Sequence, residues 1–119
     1  MTINLTAADF ETTITEHPIV LIDFWASWCG PCRAFAPVFE RSSQSHPDVV
    51  HAKVDTEAEQ QLAAALQIQA IPTITAFRDG ILVYRQPGAM PVAALEDLIT
   101  RIKALDMTDV HAKIAASTS

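Results

Sequence analysis

Residues 19–25 read Ile-Val-Leu-Ile-Asp-Phe-Trp, and no other stretch constrains the fold as tightly. The run is β-branched and aromatic, apolar at neighbouring as well as alternate positions, and too short for a typical helix. Such a segment reads as a strand buried on both faces. A strand of that kind needs helices above and below its sheet, which points to an α/β architecture. The chain has 119 residues, half of them hydrophobic and 18% charged, enough to bury one core of ordinary size.

The remaining elements fall in order around that strand. Residues 2–5 (TINL) read as a short strand. Thr6 opens TAAD, a Thr-x-x-acid start for a helix running to about Glu16. A second helix is expected from near Gly30 to about Gln44. Pro31 suits its first turn, where a missing N–H matters least, and Pro37 should kink it. VVHAKVD, 49–55, reads as a strand, and EAEQQLAAALQI, 57–68, as a helix by its Ala and Gln content. TITAFR and ILVYR read as two strands joined at Asp79-Gly80, a strong hairpin signal. QPGAMP is a loop, and Pro91 opens a last helix, VAALEDLITRIKAL. This order predicts parallel strands with helical crossovers first and an antiparallel hairpin at the end. Residues 1–105 form the expected domain. Residues 106–119 read as a C-terminal extension, a short helix or disordered, with Val110 and Ile114 at helical spacing.

Charge and composition exclude several functions. The net charge is −6 and Lys and Arg never cluster, so neither nucleic acid nor an acidic membrane surface is an expected partner. The apolar runs are too short to cross a bilayer. The first residues, MTINLTAADFETT, show no basic start and no apolar h-region, so the cytoplasm is the expected compartment.

The two cysteines, Cys29 and Cys32, flank Gly30-Pro31. Zinc is poorly served by one Cys pair with His17, His46, His51 and His111 scattered, so no metal is expected. A structural disulfide across so small a loop would constrain little of the unfolded chain. Two inert thiols would be a coincidence at this spacing and at a helix start. Redox chemistry fits the local physics. A helix starting near Gly30 places Cys29 at its N-terminal cap. There, free N–H groups and the positive end of the dipole favour thiolate over thiol. Cys32 lies one turn deeper on the same side, within bonding reach and more sheltered. Cys29 would attack a target disulfide, and Cys32 would then displace the target and close the bridge.

DFWASWCGPCRAFAPVFE, residues 23–40, resembles the active-site segment of the thioredoxin family, with its Trp-Cys-Gly-Pro-Cys signature. AIPTITAFRDG resembles the family's cis-proline strand and the hairpin after it, and PGAM resembles a third landmark centred on Gly88. The resemblance runs from about residue 2 to 105. It implies a central mixed five-stranded sheet flanked by four helices. It also implies a monomeric protein-disulfide reductase cycling between a Cys29–Cys32 dithiol and disulfide. Electrons would come from a thioredoxin reductase, so FAD and NADPH belong to that partner and this chain binds no cofactor. Gly30 and Pro31 resemble the reductase dipeptide. Two alternatives stand beside this: a disulfide oxidase or isomerase, or a binding subunit that docks Met107, Val110 and Ile114 of the extension on a partner.

Further residues gain roles by position and resemblance. Asp23 lies in a buried run, where burial should raise its pKa; it is a candidate base for Cys32, or else an edge carboxylate reaching water. Lys53 matches the family's buried lysine and would offset part of that burial, or else is an exposed strand lysine. His51 shares a strand face with Lys53; it is a histidine packed under a helix, or a third titratable group near the pair. The resemblance makes Ile71-Pro72 a cis bond, which would aim the Ile71 backbone at a bound target. Ala70 replaces the family's usual glycine. Trp28 would offer targets a flat apolar contact together with Pro31, Ile71 and Gly88, or would pack against Asp55 or a neighbouring loop. Trp25 reads as core.

Overall fold

The computed structural model describes residues 1–118; Ser119, the end of the expected extension, lies outside the described residues. Among them the elements are β1 (Thr2–Asn4), α1 (Ala7–Glu16), β2 (Ile19–Trp25), α2 (Gly30–Ser45), β3 (Val50–Asp55), α3 (Gln60–Ala65), β4 (Thr73–Arg78), β5 (Ile81–Pro87), α4 (Val92–Lys103) and α5 (Met107–Thr118). One sheet holds the strands in the order β1-β3-β2-β4-β5. β1, β3 and β2 run parallel, while β4 is antiparallel to β2 and β5 to β4. This is the expected mixed sheet, with four helices around it and a fifth in the extension.

β2 is buried on both faces, as its composition demands. Val20, Ile22 and Phe24 join Leu5, Ile14, Ala52, Val54 and Leu62 on the α1 and α3 side. Ile19 and Leu21 join Phe35, Phe39, Leu95, Leu98 and Ile99 on the α2 and α4 side. Period-two alternation therefore turns Asp23 and Trp25 toward α2. Asp23 pairs in register with Lys53 on β3 and with Ile74 on β4, so it is no edge position.

Several expectations need correction. Thr6 precedes α1, yet its side chain caps no backbone N–H; its hydroxyl meets the Asp9 carboxylate at 3.3 Å instead. α3 is shorter than the 57–68 read from composition. The Asp55 carboxylate accepts the amides of Glu57 at 2.9 Å and Ala58 at 3.4 Å, which holds that segment in a turn. Gln67 then takes a left-handed φ of 58° and ends the helix. β5 extends through Pro87 into the predicted loop. The hairpin turn itself is as read: Asp79 and Gly80 both have positive φ, 53° and 81°. α5 starts at an Asp106 cap, whose carboxylate accepts from the amides of Thr108 at 3.0 Å and Asp109 at 3.3 Å.

Candidate active site

The site assembles where β2 ends and α2 begins. Cys29 is the N-terminal cap of α2, and Gly30 and Pro31 form its first turn. The Cys29 sulfur accepts the Cys32 backbone N–H at 3.2 Å. One of the four otherwise unpaired amides of the helix start thus points at sulfur. The two sulfurs are joined as a disulfide, with Cα atoms 5.2 Å apart. Both cysteines pack with Ala26, Trp25 and Ile71. The expected difference in shelter is slight, 4% exposure for Cys29 against 2% for Cys32. What separates the two is the helix cap: Cys29 holds it, and Cys32 donates to it.

The Ile71-Pro72 peptide is cis, and the Ile71 carbonyl lies 3.8 Å from the Cys29 sulfur. Gly88, at φ 100°, donates its N–H to the Pro72 carbonyl at 2.7 Å. The end of β5 is thereby fastened to the loop that faces the sulfurs. An added Cβ at Gly88 would meet no atom within 4 Å, so its backbone angle rather than crowding favours glycine.

Asp23 is fully buried, and neither carboxyl oxygen has a hydrogen-bond partner among the described residues. Burial pushes its pKa from 3.8 up to about 7, against the opposing charge of Lys53. Lys53 offsets part of that burial, as expected, but through space and from a less buried position than the family's lysine implies. It is half-buried, and its ammonium sits 4.8 Å from the centroid of the Trp25 ring rather than on the carboxylate. Trp25, expected in the core, is half-buried and belongs to the cysteine cluster.

Trp28 is 66% exposed beside the cap, and its indole N–H donates to the Glu57 carboxylate at 2.7 Å. Glu57, not Asp55, is therefore its loop partner, and sequence reasoning missed it. The usable signal was indirect: Asp55 caps the turn that presents Glu57. Arg33, also unremarked in the sequence, donates to the Ser27 carbonyl at 2.8 Å and braces the loop before Cys29.

His51 proves to be the packed histidine. It is 1% exposed, with its ring centroid 5.0 Å from that of Phe39 on α2. Nδ1 lies 3.0 Å from the Val49 carbonyl, which can only accept, so Nδ1 carries the proton. Nε2 then accepts from the Ser42 hydroxyl at 2.9 Å. Burial holds its pKa below 6.5, opposed by the bond to Val49.

Among the described residues no helix is long and apolar enough to cross a membrane. The thioredoxin family model matches residues 1–101. "Putative thioredoxin 2" of Streptomyces coelicolor is 48% identical over 114 residues, 96% of this chain and 85% of that relative. Among solved structures, Fasciola hepatica thioredoxin superposes with a TM-score of 0.78 at 40% identity, covering 85% of this chain and 98% of its own. A mutant thioredoxin from Halobacterium salinarum gives 0.81 at 32% identity, covering 88% and 92%. A vicinal sulfur pair at a helix cap is built for thiol–disulfide exchange, and with these likenesses it establishes a thiol–disulfide oxidoreductase of the protein-disulfide reductase kind: the chain belongs to the thioredoxin family.

Proposed function

We propose that the chain reduces protein disulfides with Cys29 as nucleophile and Cys32 as resolving thiol. The observation that carries this assignment is the Cys32 amide directed at the Cys29 sulfur at the cap of α2. That donor and the helix dipole stabilise negative charge on Cys29. In the dithiol form, the Cys29 thiolate attacks one sulfur of the target disulfide. A mixed disulfide forms and the other target sulfur leaves as thiolate. Asp23 takes the Cys32 proton; its pKa of about 7 suits a base at neutral pH. Its placement supports this, because it shares a β2 face with Leu21, which packs with Phe35 one turn beyond Cys32 on α2. The Cys32 thiolate then attacks the Cys29 sulfur, closes the bridge and expels the second target thiolate. Two electrons pass to the target, and a thioredoxin reductase with FAD and NADPH restores the dithiol.

Lys53 tunes Asp23 through space rather than by an ion pair, and holds Trp25 against the cysteines. Gly30 and Pro31 set the spacing between the sulfurs and so tune the couple. Trp28, Ile71, Pro72 and Gly88 form the target groove, in which an extended target pairs with the Ile71 backbone. Residues 1–105 act as the redox domain and 106–119 as an appended segment. A monomer in the cytoplasm, without nucleic acid or membrane, completes the reading. The oxidase, isomerase and binding-subunit alternatives are not favoured, since the relatives matched carry thioredoxin names.

The test is insulin reduction with a thioredoxin reductase and NADPH. The native chain turns over, Cys29→Ser is inert, and Cys32→Ser accumulates a covalent adduct through Cys29. An adduct formed through Cys32 in Cys29→Ser, at the rate of the native chain, would reverse the assignment.

A further inference from the structure

The proposed target groove has a neighbour of different chemistry. A pocket of about 270 Å³ is lined by Gln67, Gln69, Ala70, Thr73, Arg85 and Pro87, with Ile68 beside them. Three of these adjoin groove residues in the chain: Ala70 precedes Ile71, Thr73 follows Pro72, and Pro87 precedes Gly88. The pocket therefore opens against the same loop that faces the sulfurs.

Its lining carries one full charge, and that charge is positive. The chain bears fourteen acidic residues against eight Lys and Arg, yet no carboxylate lines this pocket. Arg85 is exposed on the edge strand β5, and no carboxylate partners it among the described residues. One Nη1 hydrogen goes to the Leu66 carbonyl at 2.9 Å, which fixes the guanidinium between β5 and the end of α3. An arginine has five N–H donors in a rigid fork, so most remain for a ligand. The Gln67 and Gln69 carboxamides add neutral donors. A fork of this kind, held in place and flanked by amides, matches a carboxylate.

We propose that this pocket receives a carboxylate side chain, Asp or Glu, of the target polypeptide next to its reacting cysteine. The inference rests on the proposed groove, in which an extended target pairs with the Ile71 backbone. Alternate side chains of such a strand point to one side, so a residue one or two places from the cysteine meets the pocket. Arg85 then sets specificity without touching the reacting sulfurs.

The experiment uses short disulfide-linked peptides, identical except for Glu, Gln or Lys at each of the two positions on either side of the cysteine. Values of kcat/KM are measured for the native chain, Arg85→Gln and Arg85→Glu. At one of these positions the native chain should favour Glu over Gln by about three- to fivefold at low salt, as for an exposed ion pair, and lose that preference at high salt. Arg85→Gln should abolish the preference while reducing the Gln peptide at the native rate, and Arg85→Glu should favour Lys. A purely structural role for Arg85 would slow all peptides alike. Equal rates on Glu and Gln peptides at every position overturn the pocket assignment and leave the groove standing. Failure to reduce any peptide, while insulin is still reduced, overturns the groove and the pocket together.

Discussion

Replacing Asp23 with Asn should make the oxidised protein more stable, and only above acid pH. An ordinary aspartate in the unfolded chain loses its proton near 3.8, whereas in the fold it holds the proton to about 7. Between those values the folded state binds more protons than the unfolded one, so stability falls as pH rises and levels off above about 7. At about 1.4 kcal/mol per tenfold, the gap amounts to about 4 kcal/mol. Asparagine is close in shape to the protonated acid and does not titrate. The variant should therefore match the native chain within about 1 kcal/mol near pH 4 and exceed it by about 4 kcal/mol near pH 8. For a chain of this size that corresponds to a melting point roughly 15 °C higher. The assay is urea or guanidinium denaturation of both oxidised proteins across this range, where no thiol titrates. A stability difference that does not change with pH would refute the buried, unpaired carboxyl. The same variant should resolve mixed disulfides more slowly near neutrality, since Cys32 loses its proposed base.

Two further outcomes follow from the packing. His51→Val removes a ring bonded to Ser42 and Val49, and should cost about 1–2 kcal/mol near pH 7.5 by chemical denaturation. The depressed pKa of His51 means native stability is full above the unfolded value of 6.5 and declines as pH falls below it, so the difference should narrow toward pH 5. The reductase pH profile between pH 6 and 8 should not change, because both ring nitrogens are taken by Val49 and Ser42 and burial holds the ring's pKa below 6.5; a shifted profile would place it in the proton path. Gly80→Ala should cost about 1–2 kcal/mol through its left-handed φ alone, since the added Cβ would find its nearest neighbours at an uncrowded 3.8 Å. A melting point unchanged within error would contradict this reading of the turn.

The parts of the fold legible in the sequence are those set by local pattern. Ile19–Trp25 is a strand with the boundaries read from it, because apolar residues on both faces leave few other options. Asp79-Gly80 turns where it should, because the pair suits two left-handed residues. The misreadings arise where a side chain reaches across sequence. Nothing in the Ala and Gln content of residues 57–68 shows that the Asp55 carboxylate will capture two amides and delay α3. Nothing in HAKVD shows that the Lys53 ammonium will choose the Trp25 ring over the carboxylate opposite it. The sulfur pair was legible because its chemistry lies within one helical turn. The Arg85 pocket was not, because ILVYR and LQIQA meet only when β5 passes the end of α3.

The bond from the Gly88 amide to the Pro72 carbonyl has a consequence for the proposed target groove. It ties the turn that ends β5 to the cis-proline loop, so these two parts of the groove form one wall and move as a unit. In the proposed groove, a polypeptide that pairs with the Ile71 backbone along this wall has to arrive already extended. On that proposal, bridges locked inside tightly folded domains are poor targets, while those in loose or half-unravelled segments are good ones.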